Sequence, residues 1–296
     1  MTSSPRSPLQ PLAFALLCGI WGSTWLAIKV GYGGIGAFNV AALRFFVAGA
    51  LFVPIAFVLR APWPRGSTEW GVVAVVGVFL FALDYGLIYW GEQWLETGLA
   101  AVLFAVNPIV TAIAAHLYVP GERLTLRKLG GTLLAFLGVA GLFADKLQID
   151  SSKLAPMVAI LVAAAFATIA TVVTKRHGGA LHPAALNAPA MLIGAALLAV
   201  ASFAAGDGLR TPRDPAAWWA IGYLAIAGSI VTFLLYFRLL KTWSATTLSF
   251  IAVFTPLVAL VLGYIALGER PTVFVALGTA LILLGVWFAV TKRSEL

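Results

Sequence analysis

Long apolar stretches, broken by short polar turns, follow one another along nearly the whole of this 296-residue chain. The hydrocarbon core of a bilayer takes roughly 20 mostly apolar residues as one helix, and these stretches have that length. They predict helices near 11–30, 38–59, 70–90, 97–118, 127–144, 154–174, 184–204, 218–237, 245–266 and 272–291. The connections are too short to hold a soluble domain, so the expectation is an all-α membrane protein of ten transmembrane helices. The first run, from Leu12 to about Ile28, is longer than the apolar core of a secretion signal and is not followed by a small-residue cleavage site. It is read as a retained first helix.

Composition agrees: 61% of residues are apolar and 10% charged, against about half and about a quarter in a soluble domain. The net charge of +8 would suit nucleic acid in a soluble protein, but here the position of the basic residues carries the meaning. With the N-terminus inside, the inner segments hold Arg6, Arg60, Arg65, Arg123, Arg127, Lys128, Lys175, Arg176, Arg238, Lys241, Lys292 and Arg293. The outer segments hold Lys146, Lys153, Arg210, Arg213 and Arg270. This asymmetry predicts a multi-pass protein of the cell (inner) membrane with both termini cytoplasmic, and no nucleic-acid partner. The single cysteine, Cys18, has no partner for an intrachain disulfide, and redox chemistry is not indicated.

The chain repeats itself. Gly131-Thr132-Leu133 through Gly138-Val139 matches Gly278-Thr279-Ala280 through Gly285-Val286 at an offset of 147, and Gly121-Glu122-Arg123 matches Gly268-Glu269-Arg270. Pro108 matches Pro256 after a shift of one residue. Five helices separate the copies, and an odd number inverts the second relative to the first. Two halves, 1–150 and 151–296, are therefore expected as inverted five-helix repeats around a central cavity. Such an arrangement exposes one site alternately to either side of a membrane.

With Trp21-Gly22-Ser23, Arg44-Phe45-Phe46, Asn107-Pro108, Gly121-Glu122-Arg123, Thr255-Pro256 and Gly268-Glu269-Arg270 in this order, the chain resembles the EamA-type branch of the drug/metabolite transporter superfamily. The resemblance covers nearly the whole chain. It implies export of metabolites, with amino acids, aromatic ones included, prominent among the substrates. It also implies that helices 1–4 and 6–9 surround the cavity while 5 and 10 pack outside. In the second half the helix 1 motif becomes Phe166-Ala167-Thr168, and Pro189 stands about where the counterpart of Arg44 would be. The site is therefore expected to be chemically asymmetric.

Ionisable residues inside a span face a partner or a wet cavity. Arg44 and Asp84 stand at similar depths on neighbouring helices. Either they pair to neutralise an insertion cost, or Arg44 offers its fork to a substrate carboxylate while Asp84 faces an amine or carries a coupling proton. Trp21 lies mid-helix rather than in the interfacial belt, with Trp25 one turn on; these indoles serve either ordinary packing or a cavity wall. Tyr85 and Tyr89 share the face next to Asp84, and Asn107 precedes a mid-helix proline. Trp21, Trp25, Arg44, Asp84, Tyr85, Tyr89 and Asn107 are thus the candidate substrate-binding residues, and Pro108 and Pro256 the candidate hinges.

Gly31-Tyr32-Gly33-Gly34-Ile35-Gly36 matches a dinucleotide fingerprint literally but lacks the strand and helix that give that motif its meaning. His116, His177 and His182 show no metalloprotease spacing, and no nucleophile elbow is present. No catalytic residue, metal or cofactor is expected. The second class carried forward, a membrane-embedded enzyme, would change its substrate covalently. A cationic-compound exporter is the alternative within transport. The expected partners are a small-molecule substrate, the bilayer and, if Asp84 is a coupling site, protons; the substrate, the coupling and the oligomeric state stay open.

Overall fold

The computed structural model describes residues 9–95, 97–142, 153–267 and 273–290. The repeated Gly268-Glu269-Arg270 and the basic residues Arg6, Lys146, Arg270, Lys292 and Arg293 lie outside the described residues. The helices run as α1 (Leu9–Gly31), α2 (Ala37–Val58), α3 (Gly66–Glu92), α4 (Thr97–Phe104 and Asn107–Tyr118) and α5 (Leu126–Leu142). They continue as α6 (Leu154–His177), α7 (Pro183–Ala204), α8 (Pro215–Thr242), α9 (Ala245–Ser249 and Ile251–Leu267) and α10 (Val273–Val290). Among the described residues, seven of these helices are long and apolar enough to cross a membrane, namely α1–α4 and α6–α8; shorter apolar stretches run within α9 and α10.

Local chemistry sets several boundaries. The glycine-rich segment after α1 is a turn: Gly33 and Gly34 have φ of 48° and 83°, values that favour glycine. Asp214 and His182 accept from the backbone N–H groups of Ala216 and Ala184, and each is followed by a proline whose missing N–H costs nothing at a helix start. Ser244 accepts from the N–H of Thr247 at the start of α9. Glu122, after α4, accepts from the N–H of Ala245 at 2.7 Å and so ties the end of α4 to the beginning of α9.

Two helices are not regular. Val76–Asp84 in α3 and Ile226–Val231 in α8 are π-helical, with i→i+5 closure that opens the turn and changes which carbonyls face outward. The helix near 97–118 is interrupted at Ala105 and Val106. Pro108 therefore stands in the first turn of a new segment, where its missing N–H breaks no internal hydrogen bond, rather than in a helix interior. Pro256, by contrast, lies inside Ile251–Leu267.

The two sequence halves pack on each other throughout. α1 lies against α9 and α4 against α6; α3 lies against α6 and α7, as α8 does against α1 and α2; α2 pairs with α7 and α5 with α10. At the last seam, a Cβ on Gly131 would meet Gly285 O at 2.6 Å, and one on Gly138 would meet Gly278 O at 2.8 Å. Only glycine allows backbones this close. The pairing is reciprocal: Gly131 touches the repeat equivalent of Gly138, and Gly138 that of Gly131.

Candidate functional site

Between the halves lies a cavity of about 100 Å³. Trp21, Thr24, Trp25 and Ile28 line it from α1, Leu80, Asp84, Tyr85 and Ile88 from α3, and Phe104 and Asn107 from α4. The other half adds Ala167 and Thr171, Phe233 and Tyr236, and Ser249, Ile251, Ala252 and Thr255. Among these, Asp84 is the one Asp or Glu, and no Lys or Arg is present.

Each wall is built from its helix. Trp21 puts its ring 5.3 Å from Phe233 and 5.4 Å from Tyr236, and its Nε1–H donates to Gly228 O at 3.3 Å. Trp25 meets Phe104 edge-on at 6.0 Å. Thr171 and Tyr236 share a hydroxyl–hydroxyl hydrogen bond of 2.7 Å. Asn107 donates to Ala164 O at 2.9 Å and Thr168 Oγ1 at 3.2 Å, so it holds α4 on α6 while also lining the cavity. Asp84 closes the π stretch of α3, is buried, and its Oδ1 has no hydrogen-bond partner. A buried polar atom without a partner is costly, and here a cavity lies beside it.

Arg44 does not form an ion pair with Asp84, nor does it line the cavity. Its side chain is fully buried and its donors go elsewhere: Nε to Ser229 Oγ at 2.9 Å, one terminal nitrogen to Tyr89 Oη at 3.2 Å, the other to Gly228 O at 2.8 Å. The guanidinium lies 4.8 Å from the centre of the Tyr85 ring and 5.0 Å from that of Phe45. The π turn of α8 accounts for this. Gly228 O lies in the stretch whose hydrogen bonding is displaced, and it accepts from Arg44, Thr232 Oγ1 and Trp21 together. Gly228 also has no side chain to obstruct the approach, since a Cβ there would stand 3.3 Å from the Arg44 nitrogen. Arg44 is therefore a clamp between α2 and α8, with Tyr89 part of the clamp rather than of the cavity wall.

Of the residues read from the sequence, Trp21, Trp25, Asp84, Tyr85 and Asn107 meet at one cavity, while Arg44 and Tyr89 stand behind it. Lys29, in the last turn of α1, donates to Leu95 O at 2.6 Å and takes no part in the cavity wall. Sequence reasoning missed the wall from the second half. The repeat held one pointer to it: the offset of 147 carries Tyr89 onto Tyr236.

The EamA-like transporter family's model matches twice, over residues 10–144 and 154–291. The chain belongs to the EamA-like transporter family. Uncharacterized transporter YoaV of Bacillus subtilis is 28% identical over 283 residues, covering 93% of this chain and 95% of that protein. Uncharacterized inner membrane transporter YedA of Escherichia coli is 30% identical over 264 residues, covering 86% and 82%. One crystal structure superposes with a TM-score of 0.77 over 95% of this chain and 96% of its own at 20% identity, a likeness of fold. The molecule is thus a multi-pass membrane protein of a transporter family, with helices as the regular structure of its described residues.

Proposed function

We propose that this EamA-family chain exports small amine-bearing metabolites, amino acids including aromatic ones foremost, across the cytoplasmic membrane by alternating access. The observation that carries the reading is Asp84: one carboxylate with a free oxygen, in a cavity walled by Trp21, Trp25, Tyr85, Phe233 and Tyr236. A desolvated ammonium needs an opposite charge and gains from aromatic faces. The proposed frame is ten spans in two inverted halves, with both termini cytoplasmic. Its support is the reciprocal glycine seam, the π stretch in each of α3 and α8, and the doubled family match.

A second reading, export of organic cations without a carboxylate, is favoured by a specific feature. Among the described residues no Lys or Arg lines the cavity, and the hydroxyls of Thr24, Ser249 and Thr255 already donate to carbonyls three residues back. Proteoliposome counterflow with amino acids and with their decarboxylated amines, each with and without a pH gradient, tests both. Saturable counterflow of amino acids supports the first reading, and counterflow of the amines alone supports the second. Covalently altered substrate would replace both with an enzyme. Stimulation by the pH gradient that disappears in Asp84→Asn would make Asp84 the coupling site as well.

A further inference from the structure

A second cavity, of about 120 Å³, lies where α6 and α8 end and α7 begins. Its walls divide by chemistry. Leu181, Leu186, Phe237 and Leu240 form an apolar side, and Thr174, Lys175 and Lys241 a polar one. Lys175 donates hydrogen bonds to the carbonyls of Leu240 and Trp243, both at 2.7 Å, which leaves the third donor of its ammonium. Thr174 is buried, and its Oγ1 has no hydrogen-bond partner. Lys241 is exposed and makes no hydrogen bond or ion pair among the described residues. Gly179, exposed on the surface, also lines the cavity.

The surroundings are positive. Burial first, and then the charges of Arg238 and Lys241, hold the His182 imidazole below its ordinary value. Glu122, whose negative charge reaches Lys175, is committed to Ala245 N–H and Thr246. Lysines near a helix C-terminus ordinarily cap carbonyls and mark topology, which accounts for the two bonds of Lys175. It does not account for a cavity, an orphaned hydroxyl and an uncommitted Lys241 in one place.

We propose that this cavity holds the phosphate of an anionic phospholipid from the adjoining leaflet. Lys241 and the remaining donor of Lys175 meet the phosphate oxygens, the Thr174 hydroxyl donates to one of them, and the apolar wall takes the glycerol and the first methylenes. That wall separates a lipid from free phosphate, which would gain nothing from it. Basic pockets between helices at the membrane surface suit such headgroups.

Native mass spectrometry of the full chain in detergent, titrated with phosphatidylglycerol or phosphatidylcholine, tests this. Phosphatidylglycerol should be retained preferentially. Lys241→Gln should lower its retention roughly fivefold, as expected from one interfacial basic residue. Thr174→Val, which removes the unpartnered hydroxyl and keeps the side chain's shape, should lower it as well. Neither variant should change retention of phosphatidylcholine. Equal retention of both lipids, or variants that retain phosphatidylglycerol like the parent chain, would overturn the proposal. Displacement of the lipid by equimolar inorganic phosphate would overturn it in favour of a small-anion site.

Discussion

Arg44 and Asp84 have the same unusual property, an ionisable group inside a span, but opposite surroundings. Each guanidinium nitrogen of Arg44 has an acceptor, a hydroxyl, a phenol or a carbonyl, and the group lies over two aromatic rings, whereas Asp84 keeps an oxygen without a partner beside a cavity. Arg44→Gln should therefore lower the melting temperature in detergent, at about 1–3 kcal/mol for each buried group left unpartnered. Asp84→Asn should melt at or above the parent chain yet bind an amine substrate about tenfold to a hundredfold more weakly, read by calorimetry. Equal melting of the two variants would contradict the assignment of clamp and site. His182 gives a pH prediction. Its Nδ1 caps α7 only while unprotonated, and its folded value lies below the unfolded one. The stability it contributes is therefore complete above the ordinary histidine value and is lost as pH falls through the folded value. Melting temperature should drop from about pH 8 to about pH 5 more steeply in the parent than in His182→Asn, which keeps a capping side chain without the titration. The sequence disclosed Trp21, Asp84 and Tyr85 because a charge or a large ring in mid-span is conspicuous. It could not disclose the partner of Arg44, because that partner is chiefly the backbone carbonyl of Gly228, which no residue letter marks.

At the scale of elements, spacing along the chain located the helices well, since a long apolar run has one way to satisfy its backbone in lipid. The departures came where geometry rather than hydropathy decides. The π stretches of α3 and α8 leave no mark in the apolar pattern, and the break before Asn107 moved Pro108 from a supposed helix interior to a helix start. The two prolines should accordingly separate. Pro256→Ala should slow counterflow turnover more than it weakens binding, because it alters a helix interior, while Pro108→Ala should change turnover less. Equal slowing by both would restore them as equivalent hinges. The α5–α10 seam offers a packing test. In Gly138→Leu the new side chain meets the backbone of α10, whose Ile282 N would lie 2.7 Å from its Cβ, so the helices must separate at about 1–3 kcal/mol or more. Gly141→Ala, with open space around its Cβ, should melt like the parent chain.

For the whole molecule, the distribution of Lys and Arg and the even number of proposed spans make one claim that a reporter can check. An enzyme active only outside the cytoplasm, fused after Leu296, should stay silent, and a strong signal would overturn the ten-span frame. The cavity wall was half legible for a reason that belongs to this scale. The motifs of the first half are chemically conspicuous, whereas the second half offers Thr171, Phe233, Ser249 and Thr255, residue types common in any membrane helix. The glycine seam, finally, bears on how its two sides are joined. A contact in which Gly131 meets Gly285 while Gly138 meets Gly278 is self-complementary, and a surface of that kind needs no covalent link between its two sides. Under the proposed frame of two inverted halves, two separate copies of one half, inserted in opposite directions, would make the same contact with each other. On the proposed inverted-repeat frame, joining the two sides in one chain would leave each free to change alone, provided the glycines stay paired.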